Sequence, residues 1–587
     1  MQNRKSLFAI LFAAISVPAF SQTTNLPLWD KANWFLNRLE IKAQRDPDLN
    51  MSTVKPYMRK AYVTVADSFR AMLLNGQNPA NLTKIDQYNL NRFQANNKEY
   101  SKYSVDDFAD WKAKKPWGQY FFPTKGNLLE VNTKDFYLSV NPVYGGQIGK
   151  EQDYDRKLFV NSKGATFRGL LGKKVGFDFF VTDNQETGPS QFRGMLGQYY
   201  SVPGAGYWKR FKEKPEDYYT TREGKQYYGG SVDYLDARGS VYANVTKFIN
   251  LQFGYDKNFI GNGYRSLFLS DFSNNALFFK INTRFWKINY TNLYMELNPT
   301  FARGGDDLLD KKYSTLHHLG INVTKWLNVG LFENVMFGRP NRYEFSYLLP
   351  VIFLRSLEQQ QGSPDNANVG MDIKANIAKR LQVYGQLMLD ELNIAQLRKD
   401  RTWWANKIGT QLGIKYIDVA NISNLDVQLE WNRVRPYTYS HYDSSASYMH
   451  YNQPLAHPLG ANFQELIALV RYQPTNRLSV NVKVIAYKQG LDTMGTNFGA
   501  NPNKDYDART PIVLNGVSQA EVGYKMYNGV PANTLYASAL ASYELFENLF
   551  VEANAFYRSF KINGVSKNTS AVSIGVRWNM FRREYDY

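Results

Sequence analysis

The stretch from Asn424 to Phe463 reads NLDVQLEWNRVRPYTYSHYDSSASYMHYNQPLAHPLGANF. Its first residues alternate: Leu425, Val427, Leu429 and Trp431 share one face, and Asp426, Gln428, Glu430 and Asn432 share the other. A period of two is the signature of a β-strand. One apolar and one charged or amide face, feeding a long loop of Tyr, His, Asn and Pro, is the wall-and-mouth unit of an outer-membrane barrel.

The rest of the chain repeats the unit. From about Asp135 the period of two persists in eight paired runs, each joined by a short connection near 171–174, 247, 286, 325, 379–380, 420, 474–476 or 546–547. Long segments separate the pairs, at about 185–231, 259–275, 298–314, 338–366, 393–403, 438–461, 489–532 and 561–567. Short turns alternating with long loops are what outer-membrane barrels show, the turns periplasmic and the loops outside. A leading strand near Phe136–Gly146 and a last one through Val572, Ile574, Val576 and Trp578 bring the expectation to about 18 strands. Tyr347–Arg355 is a marginal further strand. The predicted fold class is therefore all-β, a transmembrane antiparallel outer-membrane β-barrel with a small N-terminal helical periplasmic segment. A fixed 40–50-residue repeat, as a propeller would need, is absent from the sequence. The terminal Tyr587, close to the last strand, resembles the aromatic C-terminal signature by which such barrels are recognised for insertion.

Residues 1–21 read as a signal peptide. Arg4 and Lys5 precede an apolar run from Ser6 to Phe20, and Ala19 and Ser21 suit cleavage before Gln22. Residues 22–130 read as a helical periplasmic domain, with Phe35 and Leu39, then Val65, Phe69, Met72 and Leu73, then Leu82, Ile85 and Phe93 at helical spacing. Ser104 is the expected N-cap of a further helix over Val105–Lys114. Residues 131–587 are the expected barrel. The mean hydropathy of −0.47 does not count against a membrane protein, because every second strand residue faces away from lipid. With no Cys in the chain, neither a lipoprotein anchor on cysteine nor a disulfide is available.

The net charge of +18 would ordinarily suggest nucleic acid. An exported barrel excludes that partner and leaves acidic polysaccharide, anionic lipid headgroups or acidic protein surfaces. No phosphate-binding loop is present. His441, His450 and His457 share one loop with Asp443, but their spacing matches no zinc motif, so neither metal nor cofactor is expected. No Ser–His pair has strand register with a third orienting group, and no catalysis is expected. What remains is recognition by loop residues: Arg265 in one loop, Trp403 and Trp404 in a second, and Arg433, Arg435, Tyr437, His441 and His450 in a third. Arg pairs with carboxylates, and aromatic faces suit sugar rings.

Five strings carry a resemblance: NFIGNGYRSLFLSDFSNNALFFKI from Asn258, GSPDN from Gly362, YGQLMLDE from Tyr384, NRVRPYTYSH from Asn432 and HYNQPLAHPLGANF from His450. With them the chain resembles the Wzi-like capsule-assembly family, nearest its Bacteroidetes branch, which includes gliding-motility proteins labelled RemB. The resemblance implies an 18-stranded outer-membrane barrel with a helical bundle near its periplasmic end. It also implies a role in holding capsular polysaccharide at the cell surface. No sugar-contacting position carries over residue by residue. The expected partners are outer-membrane lipid, an acidic surface polysaccharide and other outer-membrane assembly or motility proteins. A subunit of a gliding or secretion apparatus and a porin-like channel are the alternative roles.

Overall fold

The computed structural model describes residues 23–104, 107, 121–172, 174–202, 204–220, 224–299, 308–339, 342–351, 353–391 and 393–587. The expected leader and the helix over Val105–Lys114 lie outside the described residues. Eighteen antiparallel strands close into one barrel. They are β1 (Phe136–Glu151), β2 (Lys157–Leu171), β3 (Val175–Thr187), β4 (Ser231–Asn244), β5 (Ile249–Asp256), β6 (Ala276–Phe285), β7 (Ile288–Leu297), β8 (Lys312–Asn322) and β9 (Leu327–Phe337), followed by β10 (Asn366–Ile377), β11 (Leu381–Glu391), β12 (Lys407–Tyr416), β13 (Leu425–Val434), β14 (Phe463–Tyr472), β15 (Leu478–Leu491), β16 (Val530–Phe546), β17 (Leu549–Ile562) and β18 (Val565–Trp578). Each pairs with its sequence neighbours, and β18 closes on β1 with Trp578 opposite Tyr144 and Ala571 opposite Glu151. The short connections share one rim, the turn end, and the long ones share the other, the loop end.

The alternation runs as expected, with polar inside and apolar outside. On β13, Leu429 is 45% exposed while Glu430 is 1% exposed. Ile574 on β18 and Leu412 on β12 are likewise outward and exposed. Among the described residues no helix is long and apolar enough to cross a membrane; the apolar belt belongs to the strands.

Among the described residues, three of the segments that enter the lumen set its organisation. At the turn end, helices α1 (Ala32–Ala43), α2 (Arg59–Leu74) and α3 (Lys84–Asn96) pack around Phe35, Leu39, Val63, Phe69 and Leu90. Thr83 caps α3, accepting the Asp86 N–H while Asp86 accepts that of Thr83. From the loop end, residues 258–270 descend until Phe259–Ile260 pair as a strand with Val54–Lys55 of the helical unit. The two ends of the barrel therefore meet inside it. Above that junction Leu267, Phe268, Tyr439, Tyr448 and Leu455 form an apolar core with the inward Leu293, Leu316 and Phe332. The third segment is the C-terminal tail. Tyr587 is not part of the last strand: β18 ends at Trp578, and Asn579–Tyr587 turn inward. Tyr587 rests against Phe272, with ring centroids 5.0 Å apart. Met580 and Phe581 pack with Val143 and Phe180, and the rest of the tail is polar and charged, with its partners on the lumen wall.

Tyr347–Arg355 is not a strand. Residues 342–351 and 353–361 form a strap over the outer face of β7–β9, with a short helix at Leu354–Gln360. Outward-facing His317 and Glu333 interrupt the apolar belt there, with His317 Nδ1 2.9 Å from Glu333 Oε1. Such a pair cannot be left in lipid without further partners. The strap covers it and donates the Phe353 and Leu354 N–H groups to Glu333, at 2.8 and 2.9 Å. Its own outer surface is apolar, with Phe345 78% and Phe353 69% exposed.

The helical unit is seated by charge. Arg38, 2% exposed, donates to Asp86 at 3.0 Å, to Asp418 at 2.9 Å and to Asp426. Lys42 lies 2.7 Å from both Asp86 and Asp418. Arg38→Met would leave these carboxylates facing one another. A loss of roughly 3–5 kcal/mol is expected for removing one partner of such a buried cluster, read as amide exchange in α1 roughly a hundredfold faster or more while the strands are unaffected. Burial pushes the Asp86 carboxyl up, but the Arg38 charge and the bonds from Arg38 and Lys42 outweigh it and hold the pKa at about 2. A depressed carboxyl contributes stability above its unfolded value of about 3.9, and that contribution is lost as pH falls through the folded value. The protection of α1 amides, corrected for their intrinsic exchange, should therefore be flat from neutral pH to about 4 and fall between about 4 and 2; a fall centred near neutrality would refute this account of the seat.

Candidate binding mouth

Loops 393–406, 435–462 and 492–529 close over one side of the loop end. Glu521 organises their meeting point: its Oε2 accepts from Trp404 Nε1 at 2.9 Å and Trp403 Nε1 at 3.3 Å. Its Oε1 accepts from Arg509 Nη2 at 2.6 Å. One carboxylate thus ties two indoles and a guanidinium, and the guanidinium lies over the Trp404 ring, 4.3 Å from its centroid. Tyr506 packs on Trp404 at 4.9 Å, and Tyr437 meets it edge-on at 6.0 Å. Tyr524 packs on Tyr437 at 5.5 Å, and Lys407 Nζ sits 4.0 Å above the Tyr506 ring.

The cluster is graded from core to surface. Tyr437 and Tyr524 are each 1% exposed, while Tyr442 is 43% exposed. Trp403, Tyr506 and Arg509 are half-buried, and Glu521 is exposed. The outer members present ring faces and edges beside a guanidinium with solvent access. That combination suits a polar ligand with apolar C–H faces and carboxylates.

The structure divides the sequence-selected residues. Trp403, Trp404, Tyr437 and His441 come together, His441 through Tyr506 at 5.9 Å. Arg435 lies beside them as a brace, donating from Nε to the Asn406 carbonyl at 2.6 Å. Tyr437 is a support and not a surface contact; its hydroxyl donates to the Asn497 carbonyl at 2.8 Å. Burial, followed by the charge of Lys407, lowers the His441 pKa. Three residues fall elsewhere. Arg265 is in the lumen, 8% exposed, and bonded to the tail. Arg433 faces outward on β13 at the loop end of that strand's apolar run. His450 is 1% exposed, its Nδ1 accepting the Asn298 N–H at 3.1 Å and its Nε2 donating to the Asn275 carbonyl at 3.0 Å. Burial pushes its pKa down to about 3, so it is a neutral internal brace. His457 is similarly engaged, 2.7 Å from Glu465. Among the described residues no group of three His, Cys, Asp or Glu is arranged to hold a metal.

Tyr506, Arg509, Glu521 and Tyr524 escaped sequence reasoning. All sit in the loop 492–529, whose length was the signal available; its return to the Trp403–Trp404 pair is a long-range contact that no local pattern announces.

No family model matches the sequence, and no curated protein matches it. Among solved structures the chain is similar to Wzi, an outer-membrane protein involved in group 1 capsule assembly in Escherichia coli and described as a carbohydrate-binding β-barrel. The TM-score is 0.50 at 12% identity, over 96% of this chain and 100% of that one. It is also similar to OprD from Pseudomonas aeruginosa, with TM-score 0.40, 10% identity, and 75% and 94% of the two chains covered. At 12% identity the likeness to Wzi shows the fold alone, an outer-membrane β-barrel.

Glu521→Ala should release both indoles and Arg509 without touching the barrel. Iodide quenching of tryptophan fluorescence should rise, and the folded barrel's gel mobility should be unchanged; unaltered quenching would mean that Glu521 does not organise the mouth.

Proposed function

We propose that the protein is a non-catalytic outer-membrane barrel whose outer mouth holds an acidic polysaccharide at the cell surface. The Glu521-centred cluster carries this reading, because it sets aromatic rings beside Arg509 at the rim of the barrel. Short turns of such barrels face the periplasm, so the loop end faces outward and the helical unit inward. The net charge of +18 favours an acidic partner. The fold shared with a carbohydrate-binding barrel is compatible with the reading. Rings would supply contact area against sugar C–H faces, and Arg509 would pair with uronate carboxylates.

The test is binding of the purified protein to immobilised alginate or polygalacturonate, with dextran as the neutral comparison. Trp403→Ala combined with Tyr506→Ala and Arg509→Ala should weaken binding roughly tenfold or more, about 1.4 kcal/mol. Salt should weaken the wild-type interaction more than that of the Arg509→Ala variant. Equal binding by wild type and triple variant, or equal binding to dextran, would overturn the proposal.

A further inference from the structure

The lumen is not uniformly filled. Two cavities lie end to end along the side formed by β14–β18 and β1–β3. The lower one, about 230 Å³, runs between the seated helical unit and the wall; Lys31, Arg59, Arg92, Arg168, Arg238 and Arg477 on its lining outnumber the carboxylates Asp30, Asp178, Asp256 and Glu544. The upper one, about 220 Å³, runs between the wall and the tail, with Arg471 and Lys483 beside Glu186 and Glu552 on its lining. Arg577 and Met580 line both. Arg577 Nη1 donates to the Met580 carbonyl at 2.7 Å. The partition between the cavities is therefore the start of the tail.

Above that point the tail occupies the upper space. Arg582 pairs with Glu552 at 2.8 Å, and Arg583 Nη2 donates to Asn184 Oδ1 at 2.7 Å. Tyr585 donates to Glu186. Glu584 and Asp586 both pair with Lys483, and Asp586 lies 3.2 Å from Arg265. The tail's acidic end thus occupies cations of the lumen wall and of the descending loop. Among the described residues, the main chain makes no main-chain hydrogen bond to the barrel beyond that of Asn579 to Asn548. The tail pairs with no strand. It is held by side chains, so it can leave the lumen without breaking the sheet. Its departure would take Glu584 and Asp586 away from Lys483 and Arg265, would take Arg582 and Arg583 away from Glu552 and Glu186, and would join the two cavities.

We propose that Met580–Tyr587 is a displaceable plug closing an anion-conducting path along this side of the lumen, with small carboxylate- or phosphate-bearing solutes as its cargo. The excess of cations over carboxylates on the lining, with Arg477, Arg471 and Lys483 along it, would draw such solutes in, and the path runs from the helical unit toward the short loops 152–156 and 563–564. This role is separate from the mouth cluster, which sits over loops 393–406, 435–462 and 492–529.

Planar-bilayer recording in KCl tests the proposal, using the full chain and a variant ending at Asn579. Heat-modifiable gel mobility verifies that each barrel is folded. The full chain should be closed or open only in brief events. The shortened chain should show steady conductance at least tenfold higher, with a reversal potential displaced toward that of chloride, and Lys483→Glu in that background should reduce the displacement. Should the shortened chain fail to fold, full-length Glu584→Ala/Asp586→Ala takes its place, with more frequent opening expected. A folded shortened chain, or a folded double variant where that stands in, conducting no more than the full chain would overturn the plug. Cation preference in the open state would overturn the anion path.

Discussion

Closing eighteen strands into a ring turns half of every strand toward a space that lipid cannot enter, and every polar group there must find water or protein. Glu430 shows how the constraint is met. It points inward from β13 and accepts the Tyr264 N–H at 2.6 Å, the Arg265 N–H at 3.0 Å and the Tyr384 hydroxyl at 2.7 Å. Gln386 accepts the Leu267 N–H at 2.8 Å, and Gln411 donates to the Arg265 carbonyl at 3.0 Å. The wall and the descending loop therefore satisfy each other. The wall lends side chains to a loop backbone that has no ladder of its own, and the loop supplies partners that a dry lumen would lack. The helical unit does the same at the turn end through Asn50, Glu40 and Arg38, with Glu40 Oε1 2.7 Å from Lys374 Nζ.

The same logic runs outside the barrel with the opposite sign. On most strands the outward positions are apolar, and lipid is the partner they need. His317 and Glu333 break the rule at the same level on neighbouring strands, where they are paired residues. Covering them requires a segment that is polar beneath and apolar above. Its backbone also needs partners, because unpaired N–H groups at membrane depth are costly. Glu333 meets that need by accepting from Phe353 and Leu354 as the short helix begins. The charge that breaks the belt is thus also the acceptor that lets the strap lie there.

The wall was legible in the sequence because its rule is local. Leu425 to Trp431 state their own inside and outside, and the same holds for Leu549 to Ala555. Turn positions followed from where the alternation paused. The inserts were not legible, because their partners are distant in the chain. Nothing near Ile260 announces Val54, and nothing near Asp586 announces Arg265. The mouth was half legible for the same reason. Trp403 and Trp404 stand out by residue type, but Glu521, which gives both indoles a common acceptor, is an ordinary loop glutamate. His450 misled because a histidine in a polar loop looks available; its two ring nitrogens are spent on Asn298 and Asn275. Tyr347–Arg355 misled because an apolar run that faces lipid reads alike whether it belongs to the wall or lies upon it.

The distribution of loop length explains why a tail is needed. Around β5–β13 the loops are long enough to fold inward, and there the upper lumen is packed by Phe268, Tyr439, Tyr448 and Leu455. At the seam where β18 meets β1, the flanking loops 152–156 and 563–564 are too short to reach the interior. Below Tyr144, β1 has also lost β18 as a neighbour, and Asn127–Asn132 pair with it instead. The last strand closes the barrel at this seam, so the segment nearest to the unfilled side is the one that follows β18. A short run such as Arg582–Tyr587, with charges of both signs and two tyrosines, can meet Glu552, Glu186, Lys483 and Arg265 in turn. An apolar tail would have left those groups unmatched. The composition of the last residues therefore follows from the inward face of the strands they lie against, and the side of the barrel with the shortest loops is the side whose filling is held by side chains alone.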